Sequence, residues 1–297
     1  MATIFIPEVF SDALNEKLGT TLKWGSISTD ATAMVPEIKN YGDTVHFPKF
    51  KRTAVVTTPQ KGTPMTPAEI DMSDSTAEVR YIASPFRVYD IDKAQIKGDV
   101  QNRVIEQIGD VMAKKVDTDL AAEADNTVFK SPTDAADNIT SAELQAGFDN
   151  FGDDVDTDSF AAIVINPRLR SKFAGMDEFT NAALTYQTTD NGIVRNGVIG
   201  KYFGVPVICT ANGTYDSTAG ECKTYIVKRG ALSYVFKTYI VKKDALGYVY
   251  QKNITYNEEY KALELCTDIS ASMLYAVKLL NDTGIVVLRK TIAPSEG

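Results

Sequence analysis

The chain has 297 residues, of which 44% are hydrophobic, and its 31 basic and 39 acidic side chains give a formal net charge of -8. This length exceeds what a single hydrophobic core usually sustains, so the composition predicts two lobes with extended appendages. The acidic balance argues against a protein that reads DNA sequence, because its average surface repels the phosphate backbone.

The cysteine content and the N-terminus predict synthesis in a reducing cytoplasm. An odd number of cysteines without Cys-x-x-Cys spacing argues against a disulfide framework and a structural zinc site. They are Cys209, Cys222 and Cys266. Residues 1–8 lack a basic segment followed by an apolar run, so no secretion signal is expected. No stretch approaches the roughly 20 apolar residues of a membrane span, so we expect no membrane partner.

The first predicted element is a short amphipathic helix over residues 6–18. Its apolar positions recur at helical spacing, with a proline in the first turn and a glycine just beyond the end. These apolar positions are Val9, Phe10, Leu14 and Leu18. Residues 25–33, which follow, are small and poorly patterned, so we expect an arm that contributes nothing to a core.

A long polar excursion is predicted between two strand-forming regions. Residues 44–50 alternate apolar and polar side chains, and Val55-Val56 begins a second strand-like pattern. Residues 57–76 are rich in Thr and Pro and nearly devoid of core formers, and the β-like pattern resumes at Val79. Structureless segments of this length are uncommon inside compact domains. The excursion is therefore either a flexible surface loop or part of a functional arm.

Residues 99–124 form the strongest predicted helix. Its apolar stripe repeats every three or four residues and comprises Ile105, Ile108, Met112, Val116 and Leu120, widened by Val104 and Val111. The charged side chains are expected to lie largely outside this stripe: Arg103, Glu106, Lys114, Asp117 and Glu123. At about 1.5 Å per residue the helix is a rod roughly 40 Å long. Such a rod suits either a structural spine or an ordinary core helix.

A mixed α/β lobe is predicted downstream. A short helix over 141–148, with Thr140 as its cap, precedes the apolar run 161–165, which has the length of a buried strand. Asn166-Pro167 ends that strand, and a second short helix is predicted over 168–173. Further strands are predicted at 200–208, 225–227 and 284–288. The C-terminal portion is expected to return and pack on the long helix.

A fourteen-residue unit is repeated in tandem. Residues 223–236 read KTYIVKRGALSYVF and residues 237–250 read KTYIVKKDALGYVY, with ten of fourteen positions identical. Each copy has the pattern of strand, turn and strand, the turn lying near Gly230 or Asp244. Two copies are too few for a solenoid. We therefore expect a local duplication in which each copy forms its own β-hairpin.

The residues predict no catalytic, cofactor-binding or metal site. His46 is the only histidine, which removes the usual nucleophile and general-base arrangements. No phosphate loop, dinucleotide-binding or metalloprotease motif occurs. The acidic cluster at 149–158 fails as a calcium loop, because Ser159 stands where glycine is needed and Ile165 where a bidentate acid is needed. We expect a solvated acidic loop, with an irregular metal site as the alternative.

Five short blocks follow one another along the chain: IPEVF at 6–10, GDTVHFPKF at 42–50, GTPM at 62–65, IVINP at 163–167 and GKYFGVPV at 200–207. In this order they resemble the major capsid proteins of tailed bacteriophages. The first three resemble the N-terminal arm and extended loop of that family, and the last two resemble strands of its axial domain. The resemblance spans essentially the whole chain. The doubled unit departs from the family pattern and leaves the placement of strands after residue 223 open.

The resemblance implies an α+β chain with the Hong Kong 97-like capsid fold. The implied parts are an N-terminal arm at 1–40, an extended β-hairpin loop at 41–92, a peripheral domain with the spine helix at 93–137, a mixed α/β axial domain at 138–250 and a C-terminal return to the peripheral domain at 251–297. The implied function is that of a major capsid (coat) protein in the virion, with no enzymatic activity.

The implied partners are other copies of the chain in pentamers and hexamers, together with portal and scaffolding or decoration proteins. Packaged double-stranded DNA would be contacted without sequence specificity. Two alternatives stay open: an encapsulin-type bacterial nanocompartment shell of the same fold, and an unrelated cytoplasmic enzyme.

Overall fold

The computed structural model describes residues 14, 18, 21–30, 44–50, 61, 72–95, 100–153, 157–176, 198–236 and 255–291. The helices within these ranges are α1 (Trp24–Ile27), α2 (Asp90–Gln95), α3 (Val100–Ala124), α4 (Ser141–Asp149) and α5 (Arg170–Ala174). Single 3-10 turns lie at Thr157–Ser159 and Pro167–Leu169.

The strands of the same ranges are β1 (Thr29–Asp30), β2 (Thr44–Phe50), β3 (Met72–Glu78), β4 (Arg80–Tyr89), β5 (Phe129–Pro132), β6 (Phe160–Ile165), β7 (Val198–Tyr202), β8 (Val205–Cys209), β9 (Tyr215–Asp216), β10 (Glu221–Cys222), β11 (Thr224–Lys228), β12 (Leu232–Phe236), β13 (Thr255–Lys261), β14 (Cys266–Leu279) and β15 (Ile285–Arg289).

Two sheets build the body of the chain. The five-stranded sheet has β14 at its centre, with β12 and β13 along one edge, β4 along the other, and β1 outside β12. The six-stranded sheet has the order β5-β15-β11-β6-β8-β7 and mixes parallel with antiparallel pairs. Helices and mixed sheets together make the expected α+β fold.

Helix α3 confirms the predicted long helix and packs on the five-stranded sheet. Its apolar stripe is at most 5% exposed and shares one core with side chains of β14; the stripe residues are Ile105, Ile108, Met112, Val116 and Leu120. One expectation about this helix is wrong: Val111 is 54% exposed, because the sheet covers a narrower stripe than the sequence pattern allows. The charged side chains lie largely outside the stripe, as expected, with the exception of Asp117, which is fully buried.

A second core fills the space between α4 and the six-stranded sheet. Leu144 and Phe148 of α4 pack there on Ile163 and Ile226 from the central strands. The predicted cap of α4 is confirmed, because the Thr140 hydroxyl accepts the backbone N–H of Glu143 and the Glu143 carboxylate accepts the N–H of Thr140. The predicted strand at 161–165, its stop at Pro167 and the short helix after it are present as well.

The segment before the extended loop contributes to the core, contrary to the expectation of an unpacked arm. Leu14 and Leu18 are helical and buried, as the predicted first helix requires; the rest of that helix lies outside the described residues. Gly25 is buried within α1, and its Cβ position would lie 2.9 Å from Leu22. Beyond it, β1 adds in parallel to β12. The segment belongs to the body of the chain because it packs against α3. This contact joins residues far apart in the sequence, so the local pattern of the segment could not predict it.

Strands β2 and β3 form an antiparallel hairpin with Thr44 opposite Glu78 and Phe50 opposite Met72. The predicted strand at 44–50 is therefore confirmed. The polar excursion was expected to continue to residue 76, but its last residues already belong to β3, because cross-strand pairing overrides their weak strand propensity. The strand expected at Val55-Val56 lies outside the described residues.

The first copy of the repeat does not form the expected hairpin. Its two strands enter different sheets: β11 lies between β6 and β15, while β12 pairs with β14. The predicted turn exists, and Gly230 takes a φ of +74° there. After this turn the Leu280 N–H donates to the Ala231 carbonyl at 2.8 Å, which leads the chain into the five-stranded sheet. The second copy lies outside the described residues.

The C-terminal part divides between the two sheets. Strand β14 returns to pack on α3, as expected, with Ile269 and Met273 in the shared core. The last strand, β15, instead joins the six-stranded sheet between β5 and β11. The single strand expected over 200–208 is a hairpin of β7 and β8, because Phe203 and Gly204 take φ of +46° and +85° and reverse the chain.

Candidate functional site

Five of the nine large apolar side chains that are exposed in the described part of the chain lie at one end of the five-stranded sheet. We name this group the apolar tip, and it consists of Tyr89, Ile91, Tyr260, Leu263 and Leu265. It is built from the end of β4, the start of α2, the end of β13 and the turn between β13 and β14. Single exposed apolar residues are ordinary, whereas a concentrated group marks an interaction surface.

Hydrogen bonds hold the elements of the apolar tip together. The Asp90 N–H donates to the Leu265 carbonyl at 2.9 Å, and the Tyr260 hydroxyl donates to the Asp90 carboxylate at 2.8 Å. Leu265 takes a φ of +46°, in the left-handed region that non-glycine residues seldom occupy. The turn is therefore held by tertiary contacts against its own backbone preference.

A network of ion pairs borders the apolar tip. The Arg87 guanidinium donates to both oxygens of Asp268, at 2.6 and 2.9 Å, and lies 3.0 Å from Glu264. The Lys261 ammonium lies 2.7 Å from Asp268. The hydrogen bonds from Arg87 and Lys261 hold the pKa of Asp268 well below its ordinary value. An apolar centre with a charged rim is the usual composition of a protein–protein interface.

A groove of about 340 Å³ opens beside this network, lined by residues 85–87, 257–259 and 268–270. In this lining, Asp268 forms ion pairs with Arg87 and Lys261. The Glu258 carboxylate accepts a hydrogen bond from the Tyr256 hydroxyl at 3.4 Å. The lining contains neither cysteine nor histidine. The third carboxylate of the lining, Glu259, is exposed. Asp268 and Glu258 are both engaged within the chain, so the groove does not present two unengaged carboxylates as an acid and base pair.

The buried carboxylate of Asp117 joins three parts of the chain. It accepts the backbone N–H groups of Lys23 and Trp24, each at 3.0 Å, and the Asn212 side-chain amide at 3.2 Å. Two of these donors are the unsatisfied N–H groups at the start of α1, so a residue of another helix caps that helix. Burial raises the pKa of Asp117, although these donors oppose the rise. Sequence reasoning missed this role, because an aspartate in an amphipathic helix ordinarily faces solvent.

A second carboxylate on the same helix anchors the five-stranded sheet. Asp119 accepts the Tyr275 hydroxyl from β14 and lies 2.8 Å from the Lys115 ammonium and 3.2 Å from Arg80 of β4. Burial by itself would raise the pKa of Asp119, but hydrogen bonds from Lys115 and Tyr275 and the nearby positive charges hold it below its ordinary value. Together, Asp117 and Asp119 attach α3 to the N-terminal segment and to the sheet.

The histidine and the three cysteines lie on four different strands, β2, β8, β10 and β14. His46 lies on β2 with its side chain exposed. Cys209 is half-buried, and Cys222 and Cys266 are buried, all as free thiols. Burial, with a hydrogen bond to Asp137, raises the pKa of Cys222 to about 11, which leaves little of the reactive thiolate at neutral pH.

The acidic cluster is only partly within the described residues. Asp149, Asp153 and Asp158 are exposed, and residues 154–156 lie outside those ranges. No group of three His, Cys, Asp or Glu side chains that could hold a metal ion occurs among the residues that the structure places. In the same part of the chain, no helix is long and apolar enough to cross a bilayer.

Comparison with known proteins identifies the family. The model of the phage capsid protein family matches residues 84–287. The major capsid protein of Staphylococcus phage phiMR11 is 27% identical over 233 residues, which cover 78% of this chain and 79% of that protein.

Solved structures share the fold over nearly the whole chain. A structure from Mycobacterium phage Che8 matches with a TM-score of 0.63 at 17% identity, covering 92% of both chains. The mature capsid of bacteriophage PhiM1 gives 0.60 at 11% identity, covering 92% of this chain and 88% of that one. A virus-like particle from Pyrococcus furiosus gives 0.55 at 15% identity, covering 95% and 98%.

The family match runs from within β4 to within β15 and takes in α3, the apolar tip and most of both large sheets. Most of the structure described above therefore lies inside the matched region. The chain belongs to the phage capsid protein family, has the expected Hong Kong 97-type fold, and is a major capsid protein that forms part of the virion.

Proposed function

We propose that copies of this chain assemble through pentamers and hexamers into the icosahedral head of a tailed phage. The apolar tip carries the proposal, because a single chain leaves its five large side chains exposed within a charged rim. Closed rings need heterologous contacts, so each subunit presents two different complementary surfaces. The apolar tip is one of these surfaces, and contact with a neighbouring copy covers it.

The proposal includes no reaction of the chain itself. Its support is the engagement of Asp268 and Glu258 in the groove and the high pKa of the Cys222 thiol. The matched relatives are capsid proteins, which is consistent with a structural role. No cofactor is proposed.

The further partners in this proposal are double-stranded DNA inside the shell and the portal and scaffolding or decoration proteins. The net charge of -8 argues against sequence-specific contacts with this DNA, because specific readers carry a strongly basic face. Tight, sequence-selective binding of the subunit to a short duplex at physiological salt would contradict this part.

The proposed division of the chain follows the two sheets. The peripheral domain comprises α3 with the five-stranded sheet, and the axial domain comprises α4, α5 and the six-stranded sheet. This division follows in outline the implied boundaries at 93–137, 138–250 and 251–297. Three strands depart from those boundaries: β5 and β15 pair in the six-stranded sheet, and β12 pairs in the five-stranded sheet. The extended loop at 41–92 keeps β2 and β3 as its hairpin, and β4 is its return into the peripheral sheet.

A nanocompartment shell is the second candidate, since the virus-like particle from Pyrococcus furiosus has the same fold. The family match and the phage phiMR11 relative favour the phage head. The contents of purified particles distinguish the two, because a phage head holds DNA and a nanocompartment holds packaged protein. Mass analysis of the particle contents is the deciding measurement.

The apolar tip is tested by the double variant Leu263→Asp with Leu265→Asp. Charge at this surface should remove about 2–3 kcal/mol from each contact between subunits, so shells should be lost while the subunit stays folded. Electron microscopy and sedimentation measure the shells, and thermal unfolding of the subunit measures its stability.

Val128→Asp is the matched control, because Val128 is also exposed but lies just before β5, away from the apolar tip. Shells should form normally in this variant. Normal shell assembly by the Leu263→Asp, Leu265→Asp protein would refute the proposed role of the apolar tip. Failure of the unchanged chain to form any particle would refute self-assembly.

A further inference from the structure

The repeated unit occupies an unusual place in the fold. The first copy, 223–236, supplies β11 to the six-stranded sheet and β12 to the five-stranded sheet. The second copy, 237–250, follows at once and ends four residues before β13 begins. The strands before and after the second copy, β12 and β13, show how many residues the sheet requires between them.

Strands β12 and β13 lie end to end along one edge of β14, because β4 occupies the other edge. The backbone of Phe236 pairs with Tyr275, and that of Thr255 pairs with Ser272, so only two residues of β14 separate the two positions. The chain has eighteen residues between Phe236 and Thr255. If one fourteen-residue unit were removed, four residues would connect β12 to β13 opposite two residues of β14. A β-bulge can accommodate such an excess. The duplication therefore adds one fourteen-residue unit to the connection between β12 and β13, two strands that lie end to end along the same edge of β14.

The interior of the fold does not distinguish the two copies. Each buried side chain described in the first copy, with the exception of Ser233, has an identical counterpart fourteen residues later. The identical pairs are Lys223 and Lys237, Thr224 and Thr238, Tyr225 and Tyr239, Ile226 and Ile240, Val227 and Val241, Ala231 and Ala245, and Leu232 and Leu246. Polar anchors are shared too, since Lys223 and Tyr225 both bond to Asp125 and have the same residue types in the second copy.

The four differing pairs are Arg229 and Lys243, Gly230 and Asp244, Ser233 and Gly247, and Phe236 and Tyr250. Gly230 has a φ of +74°, a conformation in which its counterpart Asp244 is less favourable. The buried Ser233 hydroxyl donates to the Thr29 carbonyl at 2.9 Å, a bond that glycine cannot make. The differences at positions 230 and 233 favour the first copy, and neither changes the packing of the core.

We propose that the two copies are alternative occupants of one place in the fold, the strand pair β11–β12. The first copy holds that place because of its turn glycine and the Ser233 hydrogen bond. The second copy carries the same residue types as the buried positions of the first copy, Ser233 excepted, and can take the place when the first copy is damaged or absent. The capsid subunit thus has a spare copy of the segment that links its two sheets.

Two excisions test whether the copies are interchangeable. Removal of 237–250 should leave the melting temperature close to that of the intact chain. Removal of 223–236 joins Cys222 to Lys237 and should leave a folded subunit with a melting temperature roughly 5–10 °C lower, because of the strained turn and the lost hydrogen bond. Adding Asp244→Gly and Gly247→Ser to the second excision should restore most of that loss.

A core-breaking substitution tests the same idea in the intact chain. Ile226 is completely buried in β11, so Ile226→Asp should prevent folding when 237–250 has been removed. The same substitution in the intact chain should give a folded subunit, because Ile240 can supply the missing side chain. Fluorescence of Trp24, the only tryptophan and a buried one, reports the folded state.

Three results overturn the proposal. One is an unfolded subunit after removal of 223–236 that Asp244→Gly and Gly247→Ser do not rescue. Another is an unfolded subunit after removal of 237–250, which would give the second copy an indispensable role of its own. The third is an intact chain that Ile226→Asp unfolds as completely as it unfolds the chain without 237–250.

Discussion

The carboxylate of Asp117, on the long helix α3, accepts the backbone N–H of Trp24 at 3.0 Å. Trp24 is completely buried and packs edge-on against Tyr225, with ring centroids 5.0 Å apart, and its indole N–H donates to the Asn212 carbonyl. Because Asn212 also donates to Asp117, one carboxylate fastens three segments that are distant in sequence. The position of the N-terminal segment depends on this group.

Replacing Asp117 with alanine should destabilise the subunit by about 3 kcal/mol, because the N–H groups of Lys23 and Trp24 lose their acceptor in a buried site. Urea unfolding followed by Trp24 fluorescence measures both the stability and the local environment. Glu106→Gln is the control, since Glu106 is an exposed carboxylate on the same helix. Equal stability of the Asp117→Ala variant and the control would show that Asp117 does not anchor the segment.

Gly213→Ala should be more destabilising than Gly220→Ala. Both glycines have positive φ, +71° and +66°, so both substitutions carry the same backbone cost of about 1 kcal/mol. A Cβ at Gly213 would also lie 2.1 Å from the Cβ of Ala121 on α3, whereas the space around Gly220 is open. Overpacking should add about 1–3 kcal/mol at position 213 alone. Unfolding free energies of the two variants, compared directly, test this close approach; equal losses would place the loop away from the helix.

The contribution of Asp119 should depend on pH in a defined direction. Its folded-state pKa lies below the ordinary value, so its ionised form stabilises the subunit above the unfolded-state pKa of about 4, and that stability is lost as the pH falls through the folded-state pKa. Asp119→Asn should therefore cost about 2 kcal/mol at pH 7, and the difference from the unchanged protein should shrink below about pH 4. Urea unfolding at several pH values measures it. A difference that stays constant down to pH 3 would contradict the ionic anchor.

Shortening the connection between β2 and β3 should leave the subunit stable and reduce shell formation. Within the described residues, the hairpin shares only a small core with the body, formed by Val45, Ala77, Val79 and Ala276. A loop that contributes little to the core costs little to shorten, since closure entropy changes by only about 0.6 kcal/mol for each halving of loop length. The comparison is between subunit melting temperature and shell yield. A large loss of melting temperature with normal shells would place the excursion in the core of the subunit.

Much of the architecture could be predicted from local pattern. The stripe from Ile105 to Leu120 predicted the long helix, and Thr140 was predicted to cap the start of α4. Both predictions rest on residues close together in the chain, which local sequence specifies. The apolar tip was not recognisable in the same way. Leu263 and Leu265 stand in a charged segment, and only the pairing of β4 and β13 with β14 brings them beside Ile91.

The sequence by itself determined the periodic elements, the repeat and the order of blocks that resembles phage capsid proteins, because each depends on residues close together in the chain. Tertiary structure decided the rest. It buried Asp117 by placing the start of α1 against it, and it sent the two strands of one repeat unit into different sheets through the turn at Gly230. Both outcomes depend on partners far away in sequence, such as Asn212 and β14, whose positions no local pattern encodes.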